Sequence, residues 1–119
     1  MRLLQVRAEA CGRREDLRGA FGGVLARSFG RPAVVAECAA PLLEVGGFLV
    51  VSEPPRPAEV AHALEPGGTR WPAEELEALG LVPLGVVHEG FDYMTLRQVT
   101  ACPDRFPRRD GVPAKRPLF

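Results

Sequence analysis

Apolar residues in this chain fall into short blocks separated by Gly, Pro and charged positions, and their spacing changes from block to block. Leu3, Leu4 and Val6 form a short apolar run that reads as a buried strand, followed by a polar stretch through Arg18 with room for a helical turn. Val24-Leu25-Ala26 is a second strand, entered from Phe21-Gly22-Gly23 and stopped at Arg27. From Pro32 the period becomes helical, with Val34, Val35, Cys38, Leu42 and Leu43 at three- and four-residue spacing. Pro32 suits a first helical turn, Gly46-Gly47 suits the stop, and Pro41 should kink or shorten the helix. Phe48 to Val51 reads as a central strand covered on both faces. The Pro-rich stretch from Ser52 to Pro72 reads as a loop with at most one short helix, Glu59 to Leu64. Ala73 to Leu79 reads as a helix ended by Gly80. Leu84 to His88 and Tyr93 to Val99, joined through Gly90-Phe91-Asp92, read as an antiparallel hairpin. Beyond Ala101 no regular structure is expected before the apolar end Leu118-Phe119. Strand, strand, helix, strand, helix, hairpin is the order of the second half of a doubly wound α/β sheet. The Gly-rich cofactor turn that opens such sheets, G-x-G-x-x-G, occurs nowhere in these residues.

Length and composition fit that reading: 119 residues make one domain, and 46% hydrophobic with 25% charged residues is a globular balance. The longest apolar stretch, Ala33 to Val51, is broken by Glu37, Pro41, Glu44 and a Gly pair, so no membrane span is expected. A secretion leader is not expected either, and the location these features imply is the cytoplasm. Cys11, Cys38 and Cys102 are scattered, with no C-x-x-C pair or His/Cys cluster, so no metal site is expected. Cys38, inside the helical apolar run, reads as a small core residue. Charge changes the picture more. From Arg97 onward six basic residues face two acidic ones, a balance of +4, against nine basic and thirteen acidic residues, −4, before it. An acidic body with a basic tail points to a polyanionic partner.

The tail is also specific in its order. Arg105-Phe-Pro-Arg-Arg-Asp-Gly-Val-Pro-Ala-Lys-Arg-Pro-Leu118 resembles the C-terminal signature of the GidB/RsmG family, matching at Phe106, Pro107, Arg108, Gly111, Pro113, Lys115, Pro117 and Leu118. Upstream, Arg7-Ala8-Glu9, the strand Val24 to Arg27 and the segment Glu37 to Gly47 with its Pro-Leu-Leu are similar to family segments in the same order. Gly22 and Gly23, where the family often carries Asp and Val, depart from the pattern, as does Ser52-Glu53-Pro54.

That resemblance implies an S-adenosylmethionine-dependent methyltransferase acting on N7 of a guanine in small-subunit (16S) ribosomal RNA. The fold it implies is the C-terminal half of a Rossmann-like methyltransferase sheet over residues 1–100, ending in an antiparallel hairpin, with a basic tail over 101–119. The cofactor would be S-adenosyl-L-methionine, contacted by Ala8, Glu9 and Arg27, and a missing N-terminal half or a partner chain is implied as well. Strand ends are where open α/β sheets hold ligands, which agrees with those three positions. Read without the family, Glu9 is a solvated or capping carboxylate and Arg27 a surface ion-pair partner. Arg105, Arg108, Arg109, Lys115 and Arg116 would contact RNA phosphates; the alternative is a Pro-fixed strap packing Leu118 and Phe119 on the body. His62 and His88 have no partner pattern. Trp71 and Phe91 read as packing residues sooner than base-stacking ones. Guanine N7 carries an in-plane lone pair, so methylation there needs no catalytic base and none is assigned; alignment and the local field suffice. Two other functions fit the same residues: a non-catalytic RNA-binding remnant, and a structural half-domain that needs a partner.

Overall fold

The computed structural model describes residues 3–27, 30–53 and 70–119. The expected helix Glu59 to Leu64, with His62, lies outside them. Four strands form one mixed sheet in the order β1-β2-β4-β3: β1 (Phe21–Ala26), β2 (Leu43–Ser52), β3 (Leu81–Glu89) and β4 (Phe91–Gln98). Strands β1 and β2 run parallel, with Val24 opposite Leu49 and Ala26 opposite Val51. Between them the chain crosses over through α2 (Pro32–Ala39) and a single 3-10 turn, Ala40–Leu42. Strand β4 pairs antiparallel with β2 and, through a turn at Gly90 (φ 78°), with β3. Helices α1 (Ala8–Arg13), α3 (Ala73–Glu77) and α4 (Val112–Lys115) complete the described elements.

The period-two alternation of the strands builds the core. Leu49 and Val51 of β2 lie beside Leu96 and Met94 of β4, and all four are buried. Val35, Ala36 and Ala39 of α2, Leu76 of α3, Leu79, Leu81, Trp71 and Phe106 close over them in one cluster. The opposite face is different: Phe48 and Val82 are about two-fifths exposed, at 42% and 40%, and Leu25 of β1 is 83% exposed. Strand β2 is therefore covered on one face among the described residues, not on both as its apolar run implied. Arg97 lies over the Phe48 ring at 5.8 Å on this outer face.

Several element boundaries differ from the sequence reading for local reasons. Leu3 to Val6 forms no strand: among the described residues it pairs with none of the four strands, and Leu3, Leu4 and Val6 are exposed. Pro32 stands at the first turn of α2 as expected, and Pro41 shortens the helix into the 3-10 turn. Gly46-Gly47 is not the helix stop. It lies inside β2, where the register against β1 jumps from Phe21–Leu43 to Gly23–Phe48. Gly46 takes a positive φ of 92°, and a Cβ on Gly47 would lie 3.0 Å from the Gly22 carbonyl, so the pair permits an irregular bulge that other residues would block. The hairpin strands extend further than their apolar runs, with Phe91 and Asp92 in β4 and a register shift at Pro83/Gly85 in β3. In the tail, Gly111 (φ 84°) starts the one-turn helix α4, where no regular structure was expected.

Candidate cofactor pocket and basic tail

Arg27 follows directly on the last residue of β1, and Ala8 is the first residue of α1. The fold brings them to one cavity of about 290 Å³, walled by Val24, Leu25 and Ala26 of β1 and by Val35, Cys38 and Ala39 of α2. It lies at the carboxyl end of β1, the side on which open α/β sheets hold ligands. Its wall is aliphatic apart from the Cys38 thiol, and Arg27 supplies the cation. The volume is at the lower end of small-molecule pockets, which run from about 300 Å³ upward. Burial pushes the Cys38 thiol up to about 12, with the Glu9 and Glu37 carboxylates adding to it, so Cys38 is an inert wall residue.

Glu9 is not brought into that wall. Its carboxylate is buried beneath the tail, accepting from the Gly111 N–H at 3.5 Å and from Arg7 Nη2 at 3.4 Å. Burial alone would raise its pKa; the hydrogen bonds from its own amide, Arg7 and Gly111 outweigh that and hold the carboxyl below its ordinary value.

The tail is a packed strap rather than a free arm. Phe106 is buried in the core cluster, and Leu118 and Phe119 pack against it half-buried. Three polar anchors fix it. The Arg18 guanidinium donates to four backbone carbonyls: Gly12 (3.0 Å) and Phe106 (2.6 Å) from Nη1, Cys102 (3.1 Å) and Pro103 (2.8 Å) from Nη2. The fully buried Glu37 carboxylate receives Arg108 through its backbone N–H (2.8 Å), Nε (3.0 Å) and Nη2 (2.8 Å). Asp110 pairs with Arg13 and lies 3.7 Å from Arg7 Nε, and the bond from Arg13 lowers its pKa. Gly12 allows the close approach, since a Cβ there would sit 3.0 Å from the Pro107 ring and 3.2 Å from Pro41.

The five tail cations therefore separate. Arg108 is occupied by Glu37 and by the Arg116 carbonyl at 2.6 Å. Arg105 is exposed and stacks over Phe106 at 4.8 Å, while Arg109, Lys115 and Arg116 are exposed. Arg18, Glu37, Arg13 and Asp110 were not singled out by the sequence. Only Glu37 gave a signal, as a carboxylate inside an apolar helical run that requires a partner when buried. Trp71 is buried, as expected, and donates its indole N–H to Glu53 at 2.9 Å. Phe91, expected to pack, is 66% exposed at the hairpin tip. His88 is exposed and lies 2.7 Å from Asp92. Among the described residues no cluster of three His, Cys, Asp or Glu could hold a metal ion, and no helix is long and apolar enough to cross a membrane.

No family model matches the chain. Curated relatives do match it. A protein of Lactobacillus johnsonii named ribosomal RNA small subunit methyltransferase G is 32% identical over 98% of this chain and 48% of its own length. Proteins of the same name from Deinococcus deserti (34% identical, 95% of this chain, 46% of the relative) and Bacillus subtilis (30%, 94% and 46%) align over nearly the same extent. The chain spans about half the length of the curated relatives it matches. With its tail signature and near-complete alignment to proteins of one name, the chain is similar to about half of a GidB/RsmG-family protein, the family of its curated relatives.

Proposed function

We propose that this chain is the carboxyl-terminal portion of an S-adenosylmethionine-dependent methyltransferase that acts on N7 of a guanine in small-subunit ribosomal RNA, with a Rossmann-like sheet completed by residues outside these 119. The observation that carries the proposal is the meeting of Ala8 and Arg27, from separate segments, in one cavity at the carboxyl end of β1. The fit to the cofactor is partial and of the right kind: an aliphatic slot sized for part of a nucleoside, with a guanidinium at one end. Val24, Ala26, Val35 and Ala39 would receive its apolar portion and Arg27 its polar portion. When bound, that cofactor supplies a sulfonium methyl group. The chain's own residues have only to hold the donor and a guanine in line, since the N7 lone pair needs no deprotonation. Glu9 contributes by fixing the tail to α1 beside Ala8. Arg105, Arg109, Lys115 and Arg116 are the exposed cations for RNA phosphates, presented on a strap whose docking lowers the entropy of offering them.

The test uses a chimaera in which the leading half of the Lactobacillus johnsonii relative precedes these 119 residues. Calorimetry with S-adenosylmethionine should give binding to the chimaera, much weaker binding to the 119-residue chain, and a loss of about tenfold or more on Arg27→Ala, one charge-assisted contact. Equal affinity of the chimaera and its Arg27→Ala variant would remove Arg27 from the pocket.

A further inference from the structure

The two helices that wall the cavity are also the two that hold the tail, and on each the wall residue and the anchor residue are sequence neighbours. On α1, Ala8 lines the cavity while Glu9 accepts the Gly111 N–H. On α2, Cys38 lines the cavity while Glu37, fully buried, receives three groups of Arg108. Neighbouring residues on a helix project about 100° apart, so a helix held on one face by the tail has the adjacent face set against the cavity. Gly12, pressed against Pro107 and Pro41, transmits the same seating between α1, the tail and the end of α2.

We propose that Arg108 is a positioning residue: by gripping Glu37 it seats α2, and with it the cavity wall formed by Val35, Cys38 and Ala39, so that tail docking and occupancy of the cavity are one coupled equilibrium. The consequence is reciprocal. A ligand that fills the space between α1, α2 and β1 favours the docked tail, and a polyanion that engages the docked tail's exposed cations favours the formed cavity, so each raises the other's affinity by the same factor. The identity of that ligand as S-adenosylmethionine rests on the function proposed above; the dependence of the wall on Arg108 does not. Glu37–Arg108 suits the role because the pair is bidentate and buried on the carboxylate side, so loosening it leaves a carboxylate without its partner in an apolar helix.

The test reads the wall directly in the 119-residue chain, without any ligand. Cys38 is 4% exposed, so a maleimide reaches it only when the wall opens, and mass spectrometry of peptides separates its labelling from that of Cys11 and Cys102. Arg108→Lys keeps a charge opposite Glu37 and hence the fold, but loses the fork geometry. Native-state labelling of Cys38 should then rise about tenfold or more, the loss of one charge-assisted hydrogen bond. The rise should be independent of low urea, because local opening exposes little surface, whereas general destabilisation gives labelling that climbs with urea. Arg108→Met should raise it further. Equal Cys38 labelling in the wild type and Arg108→Lys, or an increase that follows urea in step with global unfolding, would overturn the proposal. Failure of the cofactor reading would register elsewhere, as absence of Cys38 protection by S-adenosylhomocysteine in the chimaera.

Discussion

Arg18 holds three tail carbonyls and one of α1 through a single guanidinium, and Arg18→Met measures that anchoring. The substitution keeps an unbranched side chain of similar girth but removes four hydrogen bonds of 2.6–3.1 Å from one guanidinium. A bond to a charged donor is worth about 1.5–3 kcal/mol, so simple addition gives roughly 6–12 kcal/mol. That sum is too large. The four bonds share one side chain and are not additive, and the Arg18 side chain is 23% exposed, so some of the carbonyls regain water. The additional Asp104 contact, 3.9 Å to a fully exposed carboxylate, adds nothing measurable. About 2–4 kcal/mol remains, a large part of the roughly 5–15 kcal/mol that holds a domain together. Trp71, the single tryptophan, is buried in the core cluster that also contains Phe106, so its fluorescence follows urea unfolding. With a slope near 1.5 kcal/mol per molar urea, the midpoint should fall by about 1.3–2.7 M. Arg18→Lys, which keeps the charge at a single donor centre, should fall between the two. A loss under about 0.5 kcal/mol for Arg18→Met would refute the assignment of these bonds as an anchor of the tail.

Two further outcomes follow from the same geometry. Glu9 and Asp110 both have folded-state pKa values below their ordinary ones, so their stabilisation is complete above the ordinary carboxylate range and is lost as pH falls through the lowered values. Urea midpoints should be level from neutral pH to about 5 and decline below about 4, with a shallower decline in Glu9→Gln; a level profile through pH 3 would contradict this. For the exposed tail cations, Arg105→Ala with Arg109→Ala should flatten the dependence of log RNA affinity on log salt by about 0.7–0.9 for each phosphate no longer neutralised, with equal effect on matched and unrelated RNA. An unaltered slope would limit both residues to packing and solubility.

How far the sequence could be read depended on whether the cause of each feature was local. The four strand centres, the Pro32 helix start and the hairpin around Gly90 are written in period, β-branching and turn chemistry, all of which act over a few residues. Strand ends are set by pairing partners, which is why Phe91 and Asp92 join β4 and why Leu3 to Val6, with the same composition as a strand, forms none. Gly46-Gly47 carried a true signal of unusual backbone, but a helix stop and a bulge call for the same residues. The candidate site divides along the same line. Ala8 and Arg27 came from the family resemblance, and the cavity joins them although the strand expected before Ala8 does not form. Glu9 and Arg108 were assigned outward roles, to cofactor and RNA, because their partners lie 102 and 71 residues away at Gly111 and Glu37, a distance at which no pattern in the chain indicates a pair.

The most direct measurement of the proposed function is methyl transfer itself. The chimaera carrying the relative's leading half and these 119 residues should be incubated with small ribosomal subunits from a strain lacking the modification and with methyl-labelled S-adenosylmethionine. The rRNA is then cleaved chemically at N7-methylguanine. The proposed function requires cleavage at one guanine of the small-subunit RNA, depressed by Arg27→Ala. Cofactor binding by the chimaera without any new N7-methylguanine, or methylation unaffected by Arg27→Ala, would contradict it.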